Sequence, residues 1–174
     1  DAYLPPLNTP KKLTLFYSFR SPYSYLVIER SMALAREHDL ELDIRPVLPM
    51  VMRGFKVPAS KRLYIVRDTK READRLNVPF GLIADPLGGG VERLLAAFPH
   101  AQAAGKGAEF LLNAGRAVWS QGRLIKKESV LRDVLTQSGL NPDIAEKAPI
   151  AGIDLSYAEK NREQLFDLGL LGVP

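Results

Sequence analysis

The sequence predicts an α/β fold: a strand–helix–strand unit followed by a long helical block. Three observations carry this. Residues 13–19 are β-rich and lead into Ser21-Pro22, and an apolar helical pattern leaves that step and runs to about residue 38. Alternation at Leu40, Leu42 and Ile44, with Val47 after it, marks a second strand that ends near Pro46. From Pro58 onward the period is helical almost to the end of the chain. A strand, a helix and a strand in so short a stretch form a βαβ unit, which implies a parallel pair with a right-handed crossover.

The elements follow in order. Residues 1–12, with Pro5, Pro6 and Pro10, read as an N-terminal arm or linker, and residues 13–174 as one domain. Ser21 is a favoured helix N-cap, and Pro22 suits the first helical position, where its missing N–H has no partner to lose. Residues 61–77 predict a basic amphipathic helix broken before Pro79, with Leu63, Val66, Ala73 and Leu76 near one face. Residues 85–90 read as a loop, and helices are expected at 91–104 and 108–121, interrupted by Pro99 and Gly105. Another runs 128–138 and closes at Gly139, a residue suited to the position just past a helix. Asn141-Pro142 repeats the cap-then-proline opening, and residues 154–168 form a last helix closed by Gly169. The helical block is thus an insertion at about 59–152. A new strand is expected to begin at 170–174.

Bulk composition bounds the chemistry. With 174 residues the chain suits one domain with a sizeable core, and no apolar run approaches the ~18 residues that cross a bilayer. The absence of an export signal makes the cytoplasm the default compartment, and the start at Asp1 without methionine suggests a processed or trimmed beginning. There are no cysteines, which excludes disulfides, thiolate metal sites and dithiol exchange in this segment. His38 and His100 have no acidic or cysteine partners at ligand spacing, so no metal is expected. Gly88-Gly89-Gly90 and Gly105-Lys106-Gly107 lack the full phosphate-loop pattern.

The net charge of +4 is unevenly spread: residues 53–75 carry eight cations against three carboxylates. Such a surface can hold an anionic ligand, or it can be a solvated helix face. Nucleic acid is not expected, because aromatics do not alternate with the cations as stacking platforms. Ser21 places a hydroxyl at the positive end of a helix dipole, beside free backbone N–H groups, where an anion or thiolate is stabilised. A serine that only caps its helix needs no such chemistry, and the residues alone leave both readings open.

With these pieces in order, the chain resembles the 2-hydroxychromene-2-carboxylate isomerase and kappa-class glutathione transferase branch of the DsbA-like thioredoxin superfamily. Phe19-Arg20-Ser21-Pro22-Tyr23-Ser24-Tyr25-Leu26 is similar to that family's opening. Arg45-Pro46, then Lys61-Arg62-Leu63-Tyr64, Asp68, Leu76 and Val78-Pro79-Phe80 resemble its next helix and the "I-P" step that ends it. Ala117-Val118-Trp119-Ser120-Gln121-Gly122 matches an A-V-W-x-x-G segment late in the insertion. Asn161 through Gly169, Gly172, Val173 and Pro174 resemble the stretch ending at a cis-proline that faces the active site. The resemblance runs co-linearly over residues 12 to 174. Two departures stand next to the serine: Arg20 replaces a usually apolar residue, and Ser18 a commonly acidic one.

The resemblance implies a thioredoxin-like βαβ core with an all-helical insertion, and glutathione as cofactor or co-substrate without a metal. Ser21 would be the catalytic residue, donating a hydrogen bond to the glutathione sulfur. The glutathione-binding set would be Ser21, Pro22, Lys61, Arg62, Val173 and Pro174, with Val173 pairing its backbone with the cysteinyl part. On residues alone, Lys61 and Arg62 read equally as solvated helix positions, and Val173-Pro174 as an ordinary turn. The second partner would be a small aromatic substrate; a homodimer is compatible with the family. Family chains continue through two strands and a helix, so that ββα part is expected to be missing from this chain, which would be truncated after the cis-proline. The competing reading is a redox-silent DsbA-like domain with a binding or structural role in a larger protein.

Overall fold

A computed structural model describes residues 11–148 and 154–174. Two strands, β1 (Lys12–Tyr17) and β2 (Glu41–Pro46), pair in parallel, with Lys12 opposite Glu41 and Tyr17 opposite Pro46. They flank α1 (Pro22–Glu37), as the βαβ reading requires. Lys12 belongs to the strand rather than the arm, because its ammonium pairs with Glu41 across the ladder at 3.1 Å. Five further helices follow among the described residues: α2 (Ala59–Leu76), α3 (Gly89–Ala103), α4 (Gly107–Trp119), α5 (Glu128–Gln137) and α6 (Ser156–Asp167). A 3₁₀ turn at Met50–Arg53 precedes α2, and another at Pro142–Ala145 follows α5. Asn141 caps the second turn, its Oδ1 accepting from the Asp143 N–H at 2.9 Å. The expected end of the insertion near residue 152 lies outside the described residues.

The pleat of β1 divides the core in two. Leu15 and Tyr17 join the main cluster with α1, α3 and α4, while Phe16 turns to a small second cluster with Val47, Leu165 and partly buried Val173. Phe19 fastens the βαβ unit to the helical block, edge-on to Tyr17 at 5.4 Å, Phe98 at 6.4 Å and Phe110 at 6.3 Å. Such contacts add to the burial of the rings themselves. Where α4 crosses α1, Gly115 leaves room for the Tyr25 ring: a Cβ there would lie 2.4 Å from Tyr25 Cδ2.

Three expectations give way. Pro99 does not interrupt its helix; α3 continues to Ala103, and the break comes at Gly105, whose φ is +68°. Pro99 cannot donate to the carbonyl four residues back, and the Tyr157 hydroxyl donates to that Leu95 oxygen instead, at 2.7 Å. On α2 the packed positions are Thr69 and Ala73, whereas Leu63 is 52% exposed and Val66 37%. The buried face of α2 is thus narrow and made of small residues. Finally, residues 170–174 form no strand. Gly169 ends α6 with φ +75°, and the Leu170 N–H turns back to the Leu165 carbonyl at 3.1 Å instead of entering a ladder.

Candidate functional site

The start of α1 opens on a cavity of about 360 Å³. Its floor is the turn between β1 and α1, where the Ser21 N–H bonds the Ser18 carbonyl at 2.9 Å. Ser21 sits in extended conformation (φ −92°, ψ 116°) and accepts from the Ser24 N–H at 3.3 Å, as an N-cap does. Its hydroxyl proton goes elsewhere, to the Pro174 carbonyl at 2.6 Å. The buried Ser24 hydroxyl donates to that same oxygen at 2.7 Å and accepts from the Ser18 N–H at 3.2 Å. Two residues 153 positions apart, both singled out from the sequence, are therefore in direct contact.

Ser21, Pro22, Arg62 and Val173 all line the cavity. Lys61 does not; it lies exposed on α2, turned away from the opening. Pro174 contributes its carbonyl. Its peptide bond with Val173 is not cis, contrary to the resemblance, since no cis bond occurs among the described residues. The trans isomer is the default for an X-Pro bond, and the Pro174 oxygen accepts from both serine hydroxyls.

Several site residues lie beyond the sequence reading. Arg20 is paired with an acid: Nε and Nη2 donate to Asp85 at 2.8 and 2.7 Å. Burial acts against the Asp85 carboxylate, but the hydrogen bonds from Arg20 and from the Leu87 N–H outweigh it and hold the carboxyl below its usual range. Tyr23 donates to Asp68 at 2.7 Å, tying α1 to α2. Burial first, and then that bond, push its phenol up to about 12. Arg53 and Arg162 reach the cavity from the 3₁₀ turn and from α6. Trp119, part of the A-V-W-x-x-G segment, is 5% exposed, yet it lines the cavity and stacks on Phe80 at 6.3 Å. No local signal marks Asp85, because its partner lies 65 residues away.

The segments behind the resemblance meet around this opening. Residues 81–84 run beside the end of α4, with the Gly81 N–H on the Trp119 carbonyl at 2.9 Å and the Ala84 N–H on the Val118 carbonyl at 2.9 Å. Asn161 of α6 donates to the Pro46 carbonyl at 2.8 Å, fixing the last helix on the end of β2. Among the described residues no cluster of metal-ligating side chains occurs, and no helix is long and apolar enough to cross a membrane.

The arrangement is similar to known structures. That of 2-hydroxychromene-2-carboxylate isomerase superposes with a TM-score of 0.73 at 20% identity, over 92% of this chain and 82% of that one. The cytosolic disulfide reductase DsbM from Pseudomonas aeruginosa gives 0.61 at 23% identity, over 93% and 82%. The same reductase solved with GSH gives 0.63 at 23% identity, over 93% and 84%. No curated protein sequence matches the chain. The sequence profile of the DSBA-like thioredoxin domain matches residues 12–174, the whole of the βαβ unit, the helical block and the segment that closes on Ser21, and the chain belongs to that family.

Proposed function

We propose that this chain is a glutathione-dependent isomerase or transferase acting on a small aromatic substrate. The observation that carries the reading is the Ser21 hydroxyl, placed at the N-terminus of α1 on the edge of an apolar-walled cavity and in contact with the segment that ends at Pro174. A related fold, DsbM, has been solved with GSH, and another is that of 2-hydroxychromene-2-carboxylate isomerase. The residues present suit such a ligand: a hydroxyl donor for sulfur, the positive end of a helix, and Arg62 for a carboxylate.

Glutathione, when bound, supplies the nucleophilic thiol. Ser21 turns its proton from the Pro174 carbonyl toward the sulfur, and the carbonyl keeps Ser24 as its donor, so nothing is left unpaired by the exchange. The hydrogen bond and the first-turn N–H groups of α1 favour the thiolate, while a serine, unlike a cysteine, forms no disulfide with it. Leu48, Ile65 and Ile83 exclude water from one side, and Trp119 offers a ring against which a flat substrate is held. The chain is read as acting in the cytoplasm, the compartment of the DsbM relative. Calorimetric titration of glutathione into the chain tests this. Saturable heat at millimolar thiol is expected, lost with a glutathione analogue that lacks sulfur; the absence of saturable heat would favour a redox-silent binding domain.

A further inference from the structure

The cavity has two poles of the same construction. At one, Arg20 donates in bidentate fashion to Asp85, and the charge of Arg62 acts on the same carboxyl. At the other, Arg162 donates Nε to Glu159 Oε1 at 2.7 Å and also directs Nη2 to it, and the charge of Arg53 reaches that same carboxyl. At the second pole Glu163 also acts on Arg162, but neither Glu159 nor Glu163 lines the cavity, so the guanidinium groups are what that end presents to it. Asp85 is the single acidic lining residue among the described ones, and it serves Arg20 and Arg62, so no acid lines the cavity beside Arg53 and Arg162.

The second pole has no counterpart in the proposed glutathione contacts. Arg53 lies over the Phe55 ring, 5.4 Å from its centroid, and its buried Nε has no hydrogen-bond partner. Arg162 lies over Phe166 at 5.0 Å. Two partly desolvated cations sharing one carboxylate repel each other, and an incoming anion relieves that repulsion while accepting charge-assisted hydrogen bonds. Beside them Phe166 and Leu171 are 40% and 90% exposed and line the same cavity, an apolar shelf next to a positive charge.

We propose that Arg53 and Arg162 form an anion subsite that holds the acidic group of the second substrate, with its apolar body laid against Phe166 and Leu171. The assignment of this ligand as the second substrate rests on the reading of Ser21 as the thiol end. The chemical class is a flat apolar acid, its charge a carboxylate or a phosphate, and Arg53 and Arg162 determine specificity for it. Calorimetry on the whole chain without thiol, using naphthoate, naphthyl phosphate and the uncharged naphthamide, tests the subsite. An acid is expected to bind at least about tenfold more tightly than the amide, the size of a charge-assisted hydrogen bond, and the preference between carboxylate and phosphate identifies the group. Arg53→Met and Arg162→Met should each remove most of that discrimination and leave naphthamide binding unchanged. Glu159→Gln frees Arg162 and should tighten naphthoate, a change opposite in sign to any loss of structure. Equal affinity for acid and amide, no binding of any probe, or discrimination lost only in Arg62→Met overturns the proposal. Failure of glutathione to bind in its own titration overturns the thiol reading and leaves the naphthoate result standing.

Discussion

Ser21 uses one oxygen for two purposes, and substitutions separate them. As a cap it accepts from the Ser24 N–H; as a donor it reaches the Pro174 carbonyl. Ser21→Ala should cost about 0.5–2 kcal/mol of stability and Ser21→Gly only a few tenths. Both should raise the pKa of bound glutathione thiol if the hydroxyl steadies the thiolate, as ultraviolet absorbance of the complex against pH would measure. An unchanged thiol pKa in Ser21→Gly reduces the residue to a cap. Asp85 makes a second residue-level prediction. Its folded-state pKa lies below its unfolded value, so its contribution to stability is present above about pH 4 and lost as pH falls through the folded value. Acid titration followed by circular dichroism should show a shallower stability loss in Asp85→Asn than in the parent chain. Parallel acid limbs would mean that the Arg20 pair contributes nothing.

Proline inside α3 shows how an element survives a residue that should end it. Pro99 leaves the Leu95 carbonyl without its helical donor, and Tyr157 of α6 supplies one. Tyr157→Phe should therefore destabilise by about 1–2 kcal/mol, the cost of a buried unpaired carbonyl. In a Pro99→Ala background, where residue 99 regains its N–H, the same change should cost clearly less; denaturant midpoints of the four proteins in this cycle measure the difference. The sequence placed α3 correctly and misjudged Pro99, because the rescuing hydroxyl lies 62 residues from the carbonyl it serves. The misreading of α2 has a related cause. Leu63 and Val66 have the period of a buried stripe, yet only Thr69 and Ala73 are buried on α2, and Val66 lines the cavity instead of a neighbouring element. Periodicity tells that a helix is amphipathic; the neighbour decides how wide a face it buries.

Across the whole molecule, what was legible in the sequence is what short-range rules determine. The βαβ opening, the Ser21-Pro22 cap and the glycine-terminated helices all follow from residues within a turn or two of one another. The meeting of Ser21 with Pro174 was legible only through resemblance to a family, since nothing local connects them. The second pole, Arg53 from one turn and Arg162 from the last helix, was illegible by either route, because it exists only once α6 lies on β2. The same assembly seats the chain's one tryptophan, Trp119, in the cavity wall with its buried indole N–H unpartnered. Every photon of tryptophan emission from this protein therefore originates at the cavity. Occupancy is written into the intrinsic colour and intensity of the native chain, with no attached dye and no second fluorophore of its kind to dilute the signal.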